Sequence, residues 1–296
     1  MKRIFILFGL SILISVSLSA IPPFYSLGSI SGSIDEVSAQ VKEKLVSNGF
    51  DILGEYHPGN DKGLYVIVFS SKSLISSAVR VKDRGLLGAT LKVGLVQEGG
   101  KLNVSMINPD YLFNGYFGTA MSNASLKSSL DAVSLKAKNT LKGLNGTLSG
   151  FGGDEKLKDL QKYHYMMGMP YFDDPVELAE FSSFEEGVKI IRNNLNAGKG
   201  HTVKVYDNII TGKKIAVFGV GLLDEETGES HFLSIIGKDH VAGMPYEIIL
   251  MDKEATMLHG RFRFALHWPE LTMGTFTKIM STPGEVESTL SGLCVK

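Results

Sequence analysis

The chain has 296 residues, 44% of them hydrophobic and 21% charged, with 30 basic and 31 acidic side chains giving a net charge of -1. That length is about twice a typical domain, so two cores are expected, and the composition excludes a disordered chain. The balanced charge, without a basic stripe, excludes a nucleic-acid surface, whose affinity comes largely from neutralising phosphates.

The first 20 residues stand apart. Lys2 and Arg3 precede an apolar run from Ile4 to Val16, and Ser17-Leu18-Ser19-Ala20 closes it with small residues. That order predicts a signal peptide cut after Ser19 or Ala20, with export to the periplasm or beyond. The alternative is an uncleaved membrane anchor, but the run is barely long enough to span and Pro22-Pro23 follows at once. Without Lys2 and Arg3 the balance is 28 basic to 31 acidic side chains. The lone cysteine, Cys294, has no partner within the chain, so a disulfide is open only to a homodimer; a thiol without a role is the blander expectation.

A short strand is expected near residues 25–30. Ser33 and Glu36 then have capping-box spacing, Ile34, Val41 and Leu45 make an apolar stripe, and Gly49 can stop the helix. Strands follow at 51–56 and 63–69, the second strongly apolar and β-branched. After an irregular segment ending in Lys82-Asp83-Arg84, a hairpin is expected from Ala89 to Met106 about Gly99-Gly100, closed by Asn108-Pro109-Asp110. Leu126, Leu130, Val133, Ala137, Leu141 and Leu144 form a last helical stripe. Gly143, Gly146, Gly150, Gly152 and Gly153 separate the halves, with a linker over residues 146–174.

The same set then recurs. A strand is expected near 176–181, and Ser183 and Glu186 cap a helix striped by Phe184, Ile191 and Leu195 and stopped by Gly198. Strands are expected at 202–206 and 212–218, then a segment ending in Lys238-Asp239-His240, and strands at 245–250 and 262–266 joined by a turn lengthened to include Glu254, His259 and Gly260. Trp268-Pro269-Glu270 echoes Asn108-Pro109-Asp110, and Thr282-Pro283-Gly284-Glu285 reads as a capping box before Val286, Leu290 and Leu293. Ordered echoes at an offset of 150 to 160 predict duplication of one α+β unit: two tandem β-α-β(4)-α domains, at 25–145 and 175–296, with antiparallel-rich sheets and helices packed on one face.

Leu91-Lys92-Val93, Gly99-Gly100-Lys101 and Val104-Ser105-Met106-Ile107-Asn108-Pro109-Asp110-Tyr111-Leu112 resemble the signature of the DUF302 family. The second half departs from it, with Glu247 where Lys92 stands and Trp268 at the place of the asparagine. The resemblance implies a TBP-like α+β fold, single or in tandem, and no settled activity.

Chemistry-bearing residues are unevenly spread. His57 is alone in the first half, whereas His164, His201, His231, His240, His259 and His267 follow it. His164, Met166, Met167 and Met169 lie within six residues and could hold copper, since thioethers suit Cu(I); filling a gap between domains is the commoner use of such residues. His231 and His240 bracket Ser234 and Asp239 in a segment that could close a pocket, and His267 alternates with Leu266 and Trp268 as a strand histidine would. No phosphate loop, nucleophile elbow or zinc motif is present. The expected function is therefore an exported, non-enzymatic binding protein for a small molecule or a protein partner. A copper-binding protein, or an enzyme using a His/Asp site in the second half, is the alternative.

Overall fold

The computed structural model describes residues 20–144, 146–164 and 167–296. The expected signal peptide thus lies outside the described residues, apart from Ala20. The first strand β1 (Ala20–Ile21) leads to β2 (Phe24–Ile30), α1 (Ile34–Ser47), β3 (Asp51–Tyr56), β4 (Leu64–Ser70), α2 (Lys72–Ala78), β5 (Leu91–Glu98), β6 (Lys101–Ile107), α3 (Pro109–Phe117) and α4 (Ala124–Lys142). The caps form as their residues require: the Ser33 hydroxyl accepts from the Glu36 N–H at 3.3 Å, and the Glu36 carboxylate accepts from the Ser33 N–H at 2.8 Å. Gly49, at φ +71°, takes the left-handed turn that ends α1.

The segment after α4 is built into the fold. β7 (Ser149–Phe151) adds an edge strand beside β2, β8 (Glu155–Lys156) pairs with β1, and α5 (Leu157–Leu160) follows. Next come β9 (Val176–Glu180), α6 (Phe184–Asn196), β10 (Thr202–Ile210), β11 (Ile215–Leu222), α7 (Glu229–Ile236), β12 (Tyr246–Met251), β13 (Glu254–Met257), α8 (Gly260–His267), α9 (Met273–Phe276) and α10 (Thr282–Leu293).

Besides the two-stranded β1-β8 sheet, two large antiparallel sheets result, ordered β3-β4-β5-β6-β2-β7 and β10-β11-β12-β13-β9, so the five strands of the second follow the order of the first. This is an α+β fold with antiparallel sheets, as expected. The apolar stripes of α1 and α4 are buried, as is that of α6. Residues Leu91–Val96 of β5 and Tyr246–Leu250 of β12 are buried throughout, because each half covers the other's sheet. The 3-10 turn Asp239–Gly243 packs on β5 and β6, and its counterpart Gly85–Ala89 packs on β11 and β12.

Four expectations are overturned in the second half. Residues 262–266 are not a strand; they lie in α8, whose first amides are capped by His259, its Nδ1 accepting from the Arg261 N–H at 3.2 Å. The preceding hairpin is not lengthened: Asp252 and Lys253 alone turn it, with Asp252 at φ +54°. The counterpart of Asn108, which caps α3, is therefore His259 rather than Trp268. The capping box at Thr282 is also absent, because Ser281 is already helical and its carbonyl accepts the Glu285 N–H. Cys294 is free and buried, with its thiol pushed up to about 12 by burial, so it is not placed to join two folded chains.

The two halves approach closely where side chains are missing. A methyl group on Gly54 of β3 would overlap the Val205 carbonyl of β10, and one on Gly94 of β5 would lie 2.8 Å from the Ala242 amide. Gly54→Ala should therefore cost about 2 kcal/mol by forcing the strands apart. Gly284→Ala, in open space on α10, should instead gain about 0.5–1 kcal/mol. Urea unfolding of both variants checks the contrast.

Candidate functional site

The strongest electrostatic feature is a charged cluster sealed between the sheets. Lys92 of β5 donates to Glu247 Oε1 at 2.7 Å, and the Arg263 guanidinium of α8 stands 3.8 Å from Glu247 Oε2; all three side chains are at most 3% exposed. Arg263 also donates to the carbonyls of Gly243 and Pro245 and lies 3.8 Å from the Tyr246 ring centroid. Burial holds the Lys92 ammonium below its ordinary value, against the pull of Glu247. Lys92 and Glu247 occupy matching places in the two sheets, and the docking of the halves brings them into contact.

Two further polar pairs flank this cluster. The Tyr116 hydroxyl and His267 Nε2 are 3.1 Å apart. Burial, then Arg263 and Lys92, hold the His267 imidazole well below its usual range. Glu229, at the start of α7, accepts from the Tyr56 hydroxyl at 2.8 Å and the Gly59 N–H at 3.0 Å. Burial raises the Glu229 carboxyl to about 7 despite those two donors. Each of these pairs joins the first half to the second.

The histidine segment does not gather into one centre. His231 is half-buried, Ser234 and Asp239 are exposed, and the Ser234 hydroxyl donates to the His231 carbonyl at 2.6 Å. His240 is buried in an aromatic box: Phe151 stacks on it at 5.4 Å, Phe24 lies at 4.9 Å and Trp268 meets it edge-on at 5.7 Å. Neither ring nitrogen has a hydrogen-bond partner among the described residues, the nearest carboxylates being Glu270 at 3.6 Å and Asp239 at 4.0 Å. Burial depresses its pKa, partly offset by Asp239 and Glu270. His267 is fully buried at the end of a helix instead of half-buried in a strand.

Ser234 and Asp239 instead line an open cleft between the halves, of about 770 Å³. Its first-half wall carries Ser26, Asn103 and Ser105 with Phe151, and Lys238 stands opposite them. At its floor the Ser105 hydroxyl donates to the Asp239 carbonyl at 3.4 Å, joining the two walls. Hydroxyl, amide and carbonyl groups beside one aromatic ring can orient a small polar molecule. Ser105 and Asn103 escaped the sequence reading because they sit in a strand whose period marks them only as alternating polar positions.

The His/Met segment is placed differently from a ligand set. His164 Nε2 is engaged by the Met169 carbonyl at 2.6 Å, and its ring stacks on Tyr171 at 3.9 Å. Met167 is 96% exposed, Met169 lines an apolar pocket with Trp268, and Met166 lies outside the described residues. Among the described residues no group of three His, Cys, Asp or Glu side chains is placed to hold a metal, and no helix is long and apolar enough to cross a membrane.

Fold and site together define an α+β protein of two antiparallel sheets with a sealed charge cluster and a polar cleft between them. No family model and no curated protein matches the chain. Among solved structures it is similar to the crystal structure of an uncharacterized conserved protein DUF302 from Bacillus stearothermophilus. That likeness has 19% identity and a TM-score of 0.32, over 40% of this chain and 96% of that chain.

Proposed function

We propose that this chain is an exported binding protein of two tandem DUF302-like units that holds a small polar molecule, without turning it over, in the cleft between its halves. One observation carries the reading: the groups facing the cleft are hydrogen-bonding side chains from both walls, while His240 and His267 are withdrawn into the core. The charged side chains that line the cleft, Glu98, Lys238 and Asp239, are all exposed to water, and His240 and His267 face aromatic rings and Tyr116 instead of the cleft, so no buried acid or base is aimed at a bound molecule. The leader pattern of Lys2, Arg3 and the apolar run supports export.

A thermal-shift panel of sugars, amino acids and small carboxylates tests the site. At least one compound should raise the Tm and be recovered unchanged, and Ser234→Phe, which puts a ring into the cleft from an exposed position, should abolish the shift. A shift that survives Ser234→Phe places the ligand elsewhere, and chemical conversion of the compound contradicts a binding role. Export is checked by the mass of the mature protein from its native host, which should begin at Ala20 or Ile21.

A further inference from the structure

A second cavity, remote in character from the polar cleft, has formed in the second half. It encloses about 240 Å³ and its walls are almost wholly apolar. Arg261, Phe264 and Trp268 project to it at helical spacing from α8 and the residue after it, and Met169, Met273 and Met280 complete the walls. Met273 and Met280 are 57% and 62% exposed, so thioether side chains stand in solvent. Long unbranched thioethers adapt to varied apolar shapes at little cost. Arg261 is exposed, and among the described residues no carboxylate pairs with it. The hollow itself suits an apolar body, and Arg261, whose charged end is on the solvent side, is the one lining residue able to meet an anionic head.

We infer that this pocket binds a linear amphipathic carboxylate, with its alkyl chain against Phe264, Trp268 and the methionines and its carboxylate on Arg261. The site goes beyond the polar cleft and does not depend on it. Trp268 is the only tryptophan in the sequence, so its fluorescence comes from the wall of this pocket, and the Ser234→Phe variant separates any effect passed from the cleft through Phe151 and His240.

Titration of the full chain with octanoate, decanoate, decanol and decyltrimethylammonium tests the assignment. Decanoate should change Trp268 emission saturably, and affinity should rise about fourfold per added methylene from octanoate, the equivalent of about 0.8 kcal/mol each. Decyltrimethylammonium should bind at least tenfold more weakly than decanoate. Arg261→Gln, an exposed change, should weaken decanoate about tenfold and leave decanol unaltered. Ala265→Phe, which fills the pocket, should remove both responses, whereas Ser234→Phe in the polar cleft should remove neither. No saturable response to decanoate, equal binding of the cation, or undiminished decanoate binding by Arg261→Gln would overturn it. An emission change that follows protein concentration alone would mean a second copy occupies the pocket, and would overturn it too. Should Ala265→Phe fail to fold, Arg261→Gln decides.

Discussion

Glu247→Gln should cost the fold about 3–5 kcal/mol, far more than Lys92→Met, even though the two side chains form one ion pair. The asymmetry follows from the third member. Glu247 is the only carboxylate within ion-pairing distance of Lys92 and of Arg263 among the described residues. Its removal strands two buried cations, and an arginine does not escape by losing its proton. Removing Lys92 leaves Glu247 facing Arg263, and a methionine of similar length fills the space. That change should cost about 1 kcal/mol, because replacing a buried charge by apolar volume avoids its desolvation penalty. Urea unfolding of the two variants measures the difference. Equal losses, or a larger loss for Lys92→Met, would show that the cluster is not centred on Glu247.

Stability between pH 4.5 and 7 should be set by two opposing titrations that single variants separate. Glu229 has a folded pKa of about 7 against 4.5 for the free side chain, so the folded state holds its proton more tightly. Its contribution is complete below the unfolded value and falls away between pH 4.5 and about 7, a change of about 3 kcal/mol of which only about 1 kcal/mol remains to be lost above pH 6.5. His267 and His240 act in the opposite sense, because burial lowers both folded values. Their neutral forms hold the fold together above about pH 6.5, and protonation of the unfolded chain draws stability away below it. Glu229→Gln keeps the hydrogen-bonding shape and should remove the falling contribution, so that stability rises with pH between 4.5 and 6.5 more steeply in the variant than in the wild type. Denaturant titrations of both chains from pH 4.5 to 8 would show this; a difference between variant and wild type that stays constant from pH 4.5 to 7 would contradict it.

The parts of the fold that are local in sequence were legible there. The Ser33/Glu36 box and the stripe of Ile34, Val41 and Leu45 specify α1 within one segment, and Ser183 with its stripe does the same for α6. In the second box the Glu186 carboxylate reaches the Ser182 amide one residue earlier, a variation that spacing does not reveal. Helix α8 was misread because Phe262-Arg263-Phe264-Ala265-Leu266 alternates over a short stretch, which also suits a strand. The helical signal was present over a longer window, in Arg261, Phe264, Ala265 and Trp268 at steps of three and four. The hairpin before it was missed because Asp252 takes the left-handed turn without glycine.

The site was less legible, since it depends on contacts between residues far apart in the chain. Glu247 in place of Lys92 looked like divergence in an aligned repeat. In the folded chain the two matching positions meet, and opposite charges there are complementary where two lysines would repel. The cleft likewise takes one wall from β2, β5, β6 and β7 and the other from α7 and the turn after it, so neither half alone contains it.

Amide hydrogen exchange on the full chain, with and without a stabilising compound from the polar panel, tests the central claim most directly. Ligand seated between the halves should protect residues 101–107 of the first half and 229–239 of the second together. Protection confined to one half, or centred on residues 260–280, would contradict binding in the cleft.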